Sequence, residues 1–372
     1  MSKGTDSDHV LSETGRTGVR AQVDTEESAP AGDQAGAVSE RIRKRLGTPW
    51  TSRKRGGSGR TSSLGTAIIF ALPAMVIISV FHLYGAGRNI WLSLTDWTLA
   101  GADFVGLRNY IDLIQSGDFW NSLKVTVFFV SVVPITVAIA IPIAYILHYV
   151  VAKSYLYRLL LFLPFVVPTV ATSLVWSLVV SPSPSGLVNA SLQLLGISRQ
   201  SLILDSTGIF EGLGGWVGLT VPGWAAGPSI AMSLVVLIRF WQILGFTVLI
   251  LYAGMTRIDP DLLDAARVDG ATEPQILKKV VVPVLSPTIL FVVVISLVFA
   301  LREFNTIFVL TGGGPARTTE TLAMLMYRQF WGDNLFAVGA TTATALFLII
   351  LVITWVQFRL SRRWVHYSGG QA

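Results

Sequence analysis

The sequence predicts an all-α, polytopic membrane protein: six transmembrane helices, with a helical cytoplasmic loop between the fourth and fifth. Three observations predict it. Charged residues are 13% of the 372 positions, against roughly 25% in an ordinary soluble domain. Residues 1–60 hold 11 Lys/Arg and 8 Asp/Glu, which leaves 31 charges for the other 312 residues. A water-facing surface for that much chain cannot be built from so few. Six continuous apolar stretches follow, at about 64–84, 125–150, 159–180, 229–255, 287–310 and 335–358. Each is long enough to cross ~30 Å of hydrocarbon at ~1.5 Å per residue. The composition weighs against a soluble enzyme, a nucleic-acid binder and a disulfide-rich secreted domain. The absence of cysteine removes disulfides, thiolate metal sites and cysteine nucleophiles together.

In chain order, residues 1–40 carry few large apolar side chains and are expected to be disordered, because they cannot bury enough surface to offset ordering. Arg41 to Arg60 contains eight basic residues and no acidic one. This suits a juxtamembrane segment facing anionic lipid. The division expected is a tail over 1–60 and a six-span domain over 61–372. The spans are continuously apolar rather than alternating, which disfavours strands. Their prolines (Pro73, Pro134, Pro142, Pro164, Pro168) are tolerated where neighbouring helices satisfy the freed backbone groups. With the N-terminus inside, the cytoplasmic side receives 17 basic residues and the opposite side six. The positive-inside rule therefore places both termini in the cytoplasm. Trp91, Trp97, Trp120 and Trp364 fall near interfaces, as aromatic anchors or as packing residues.

Between the fourth and fifth stretches lies TRIDPDLLDAARVDGATEPQILKKVVVPVLSP, Thr256–Pro287. It reads as two short helices. Asp259 is a candidate N-cap with Pro260 at the first helical position. Gly270 can stop the first helix in a left-handed conformation. Thr272 and Gln275 form a capping-box pair for the second, and Pro283 is expected to end it. A plain polar connector would need none of these signals. A rigid knob suited to docking is the sharper reading.

The residues Asp264-Ala265-Ala266, Asp269-Gly270-Ala271, Val280, Val282, Pro283 and Pro287 resemble the EAA motif of ABC-importer permease subunits. Asp264 stands for the usual Glu, Pro274 for a usual aromatic, and Val280 and Val282 for Ile and Leu. Leu92–Trp97, Phe104–Tyr110, Phe119–Ser122, Gly186–Asn189, Leu310–Pro315 and Thr319–Leu322 extend the resemblance over most of 64–364. Together they are similar to the first of two permeases in sugar importers of the maltose and glycerol-phosphate type. The outer loop 197–228 looks longer than usual. The resemblance implies a bacterial inner-membrane transport subunit that is not itself an enzyme. It implies a translocation path shared with a second permease, an ATPase dimer below that binds ATP and Mg, and an extracytoplasmic sugar-binding protein. The sequence has no GxxxxGK[ST] loop, so this chain lacks a Walker A cradle for ATP phosphates. The resemblance assigns ATPase coupling to Asp264, Ala265, Ala266, Asp269, Gly270, Ala271 and Pro283. Asp264 would face a basic group of the ATPase, or pair locally with Arg267 three residues on. A permease for glycerol phosphate or an amino acid, and a six-span channel, are the alternatives. The channel would want a repeated arginine pattern or a selectivity loop, and neither occurs.

Three charges fall inside the apolar stretches: Arg239, Arg302 and Glu303. A charge at that depth is costly unless it meets a partner or a cavity. Arg239 and Glu303 either pair across the translocation path, or Arg239 faces the second permease while Glu303 snorkels outward. For sugar contact the candidates are Trp241, Gln242, Gly245, Ser296 and Asn305, because sugars need convergent hydrogen-bond groups and an apolar face. Helix packing is the competing role for Trp241 and Ser296. The Gly312–Pro315 run reads as a tight turn after the fifth span. The four histidines stand far apart, so no metal site is expected.

Overall fold

A computed structural model describes residues 60–98, 101–151 and 154–362. The basic segment and tail before residue 60, Lys153 and Trp364 lie outside them. The chain divides at Leu72 into two units. In the first, the described residues are helical; the rest of the fold belongs to the second.

Among the described residues four helices are long and apolar enough to cross a membrane: α1 (Gly65–Ser93) and three described below; two bent pairs raise the number to six if each is one span. Helices form because lipid offers no partner for backbone N–H and C=O groups, which must be satisfied within each segment. After α1 comes a feature outside the all-α expectation. Thr95–Thr98 (β1) and Gly101–Phe104 (β2) form an antiparallel hairpin with Thr95 opposite Phe104. It lies beyond the apolar run, where Asn109 pins its start by donating to the carbonyls of Ser93 and Thr95. Then follow α2 (Arg108–Gln115) and the long helix α3 (Gly117–Val150). α1 and α3 overrun the expected spans because Arg88, Asp118 and Lys124 limit burial in lipid, not helix formation.

The third stretch is two helices, α4 (Tyr155–Val166) and α5 (Thr169–Val179), bent by 93°. The cause is Pro168, which has no N–H to continue the ladder and forces Val167 out of the helical region. The segment that follows adds α6 (Leu187–Leu194) and α7 (Ile209–Val217). Its ends return to one another through the Gly208–Ser229 bridge. α8 (Ile230–Met255) is straight through and N-capped by Ser229, whose hydroxyl accepts the Met232 N–H. α9 (Pro260–Val268) precedes α10 (Glu273–Val284) and α11 (Ser286–Leu301), bent by 74°. Pro283 therefore does not end the second loop helix. The π turn at Leu277–Val281 widens the helix ahead of it and relieves the clash a proline ring makes with the preceding turn. The fifth stretch breaks at Arg302–Phe304 before α12 (Asn305–Leu310). The last described helices are α13 (Leu322–Tyr327) and α14 (Phe336–Ser361).

Packing follows membrane rules, where small residues let backbones approach. Ala140 and Ala144 of α3 are fully buried in one cluster with Val248 and Leu251 of α8 and Val292 of α11. A second cluster sets Phe129 and Val132 with Met232, Val235 and Ile307. Gly245 of α8 lies so close to α4 that a Cβ would stand 1.7 Å from the Leu161 carbonyl oxygen. The far end of α1 is tied to α14, with Asn89 donating to Ala340 O and Thr344 Oγ1.

Candidate functional site: a folded loop and a buried ion pair

The 256–286 segment is built as its capping signals anticipate. The Asp259 carboxylate accepts the Asp261 N–H at 3.0 Å, with Pro260 opening α9. Gly270 follows α9 with φ +80°. Its N–H reaches the Arg267 carbonyl and the Ala271 N–H the Ala266 carbonyl, a two-bond C-terminal stop that needs the left-handed residue. Thr272 and Gln275 form the capping box, the glutamine accepting the Thr272 N–H at 2.8 Å. Ile258, Leu263, Ile276, Val281 and Leu285 are buried in one cluster with the ends of α3 and α8. A polar connector would leave such residues in solvent; here they seat the loop on the bundle.

The polar face of the loop carries a chain of contacts. Asp264 pairs with Arg267 at 2.9 Å, and Arg267 with Glu273 at 3.1 Å. Hydrogen bonds to Glu273 and then Asp264 raise the Arg267 pKa further above its ordinary range. Glu273 in turn accepts the hydroxyl of Tyr145. The local pairing of Asp264 is thus formed, while 69% of its side chain stays exposed. Val268 is 88% exposed on the same helix. Ala265 and Ala266 lie between them in sequence, and Asp269 and Gly270 are exposed.

The second group lies at the helix breaks. Arg239 of α8 meets Glu303 at 3.1 Å, with side chains 13% and 6% exposed. The other Glu303 oxygen accepts both the N–H and the hydroxyl of Thr306, at 2.9 and 2.8 Å. It thereby satisfies the opening turn of α12. Arg239 also donates to Gln242 at 2.5 Å, and Gln242 to Thr169 at 3.4 Å. One polar string therefore links the breaks in both interrupted stretches to the unbroken α8. Ser296, buried, lines a small cavity with Arg239, Phe165, Phe246 and Phe299.

The other sequence candidates are placed apart. Trp241 is 43% exposed and packs edge-on to Trp176. Gly245 is a contact glycine against α4, a helix-packing position. Asn305 is exposed at the start of α12. Arg302 points away from the pair and lines a cleft of about 580 Å³ with Phe304, Tyr327 and Phe347. Thr169 and Thr306 were not among the candidates. The Pro168-Thr169 helix start and the three-residue step from Glu303 to Thr306 are the signals that mark them. Among the described residues no cluster of three or more His, Asp or Glu is placed to hold a metal ion.

At the opposite end of α3, a second charge network joins the segments around α13. Arg328 reaches Glu320 at 2.7 Å, Asp118 at 2.9 Å and Asp333 at 3.0 Å. Arg317 also pairs with Asp118, at 2.7 Å. Burial works against the Arg328 charge, and hydrogen bonds to Glu320 and Asp118 outweigh it, raising the pKa. Sequence reading left these residues scattered, because they come from three segments up to 210 positions apart. The Gly312–Pro315 turn lies between them, with φ +59° at Gly312 and +88° at Gly313.

Residues 121–366 match the family described as "Binding-protein-dependent transport system inner membrane component". The chain is 32% identical to a probable ABC transporter permease protein of Pyrococcus horikoshii, over 79% of this chain and 94% of that one. It is 30% identical to the trehalose/maltose transport system permease protein MalF of Thermococcus litoralis (82% and 95% covered). It is also 30% identical to the sn-glycerol-3-phosphate transport system permease protein UgpA of Yersinia pestis (81% and 95%). In fold it is similar to a chain of a bacterial ABC transporter involved in the import of the acidic polysaccharide alginate. The TM-score is 0.66 at 21% identity, covering 82% of this chain and 97% of that one. The apolar bundle, its interrupted helices and these similarities agree: the chain belongs to the binding-protein-dependent transport inner-membrane component family, as a multi-pass ABC-importer permease.

Proposed function

We propose that this permease serves an ATP-driven sugar importer, taking a di- or oligosaccharide from an extracytoplasmic binding protein. The α4–α5 pair is then one span and α11 with α12 another, making six, with both termini and the 256–286 loop, α10 included, in the cytoplasm as the basic-residue count requires. The observation that carries the reading is the loop itself: two capped helices seated by buried Ile258, Leu263 and Ile276 on the ends of α3 and α8, with Asp264 and Val268 facing outward. That face docks on an ATPase subunit, which supplies ATP, Mg and hydrolysis. Asp264, Ala265, Ala266, Asp269, Gly270 and Ala271 form the contact, and Pro283 lies in the link to the fifth span. Closure of the ATPase pair pushes the loop and rocks the bundle as a rigid body.

The path runs between this chain and a second permease. Trp241 and Asn305, both exposed, supply an aromatic face and an amide to the sugar. Gln242, Ser296 and the Arg239–Glu303 pair hold the broken helices beside it. The sugar class is supported by a relative named for trehalose/maltose transport; a relative named for sn-glycerol-3-phosphate transport carries the alternative. Uptake of labelled trehalose, maltose, maltodextrin and glycerol 3-phosphate, in a deletion strain with and without this chain, tests it. A chain-dependent signal on one of the sugars is expected. Uptake of glycerol 3-phosphate alone, or of none of the four, overturns the sugar assignment.

A further inference from the structure

The loop and the second span meet at one carboxylate. Glu273, the first residue of α10, divides its two oxygens: one accepts Arg267 Nε at 3.1 Å, the other accepts the Tyr145 hydroxyl. Arg267 belongs to α9 and holds Asp264 with a different nitrogen. Tyr145 belongs to α3, is 4% exposed, and packs at a tilt against Tyr149 with ring centroids 4.9 Å apart. Glu273 therefore ties α9, α10 and α3 together. Each of the two longer helices has a π turn beside the tie. Ile146–Val150 begins one residue after Tyr145, and Leu277–Val281 four residues after Glu273. Such turns recur at functional positions in helices. The other described contacts seating the loop are largely apolar, and apolar contact is non-directional. It holds the loop on the bundle without fixing its register. A hydrogen bond to a charged group does fix it.

We propose that Glu273 is the joint through which movement of the loop reaches the second span, with Tyr145 and Arg267 as its positioning residues. This rests on reading 256–286 as the ATPase-docking element. When an ATPase cation takes Asp264, Arg267 is left to Glu273, and the joint tightens as the loop is loaded. The tie makes α9 and the end of α3 move as one body; without it α9 slides over the apolar seat.

The chain has no cysteine, so spin labels can be placed on Asp261→Cys and Val150→Cys, both exposed, in the fully assembled transporter. The label separation is expected to stay within about 2 Å, the size of an ordinary helix shift, between the nucleotide-free and ATP–vanadate-trapped states. Tyr145→Phe, which keeps the buried ring, and Glu273→Gln should each let it change by about 5 Å or more, a helical turn. The double variant should go no further than either single one, because both cut the same tie. The joint is overturned by a parent separation that changes on trapping, by variants that keep the parent separation, or by a double variant exceeding both singles. Failure of the docking reading looks different: Gly270→Asp would then leave the ATPase bound. Failure of the joint alone leaves Gly270→Asp defective and Tyr145→Phe indistinguishable from the parent.

Discussion

Two arginines organise the two ends of the bundle, and they do so in opposite ways. Arg328 joins Asp118, Glu320 and Asp333 from three separate segments, and Glu320 is 3% exposed. Arg267 joins Asp264 and Glu273, all within ten residues, with 42% or more of each side chain exposed. Of the Arg328 partners Glu320 alone is buried, Asp118 and Asp333 being 42% and 39% exposed, and removing the arginine strands that one desolvated charge. An exposed local network is screened and can exchange partners. One end is built to hold its shape and the other to trade contacts.

The largest test of that contrast is Arg328→Leu. It leaves buried Glu320 without its cation, while Asp118 keeps Arg317 at 2.7 Å, and should cost about 3 kcal/mol, the low end for a broken buried pair because Arg328 is itself part-exposed, read as a lowered melting temperature of the solubilised protein. A change too small to measure would erase the difference between the ends. Gly270→Asp should cost less, about 1–2 kcal/mol for a left-handed non-glycine residue. A Cβ at Gly270 would meet no atom within 4 Å, so the new carboxylate stands on the loop surface. Membrane insertion should survive while ATPase co-purification and transport are lost. Asp264→Asn should be smallest of all: melting unchanged, and ATPase affinity reduced roughly fivefold at low salt. Raising salt to about 1 M, where the Debye length is about 3 Å, should bring parent and variant together. If salt leaves the parent's ATPase affinity unchanged, Asp264 is not the ionic contact.

How legible all this was in the sequence depends on range. The loop was readable almost residue by residue, since Asp259, Gly270, Thr272 and Gln275 act on neighbours within three or four positions. Pro168, expected to be tolerated within the third stretch, instead breaks it with a 93° bend. Pro283 misled, because a π turn absorbed a residue that ordinarily stops a helix. The two-stranded hairpin after α1 escaped notice since hydropathy registers spans and is blind to short polar strands. Whether Arg239 would meet Glu303 could not be read from the chain: a span of 64 residues separates them, and only the packing of α8 on α12 decides it. For the same reason nothing local marks Tyr145, whose partner Glu273 lies 128 positions on. Gly245 looked like room for a ligand and is room for a backbone.

The 74° corner between α10 and α11 has a mechanical consequence. Two rods joined near a right angle form a crank. A push along α10 has little component along α11 and is delivered almost wholly across it. The loop's last helix and the fifth stretch are consecutive pieces of one chain, so force entering at the loop need not jump an interface to get there. An axial stroke applied at the loop would thus emerge as a sideways swing toward Glu303, where the helix is already broken.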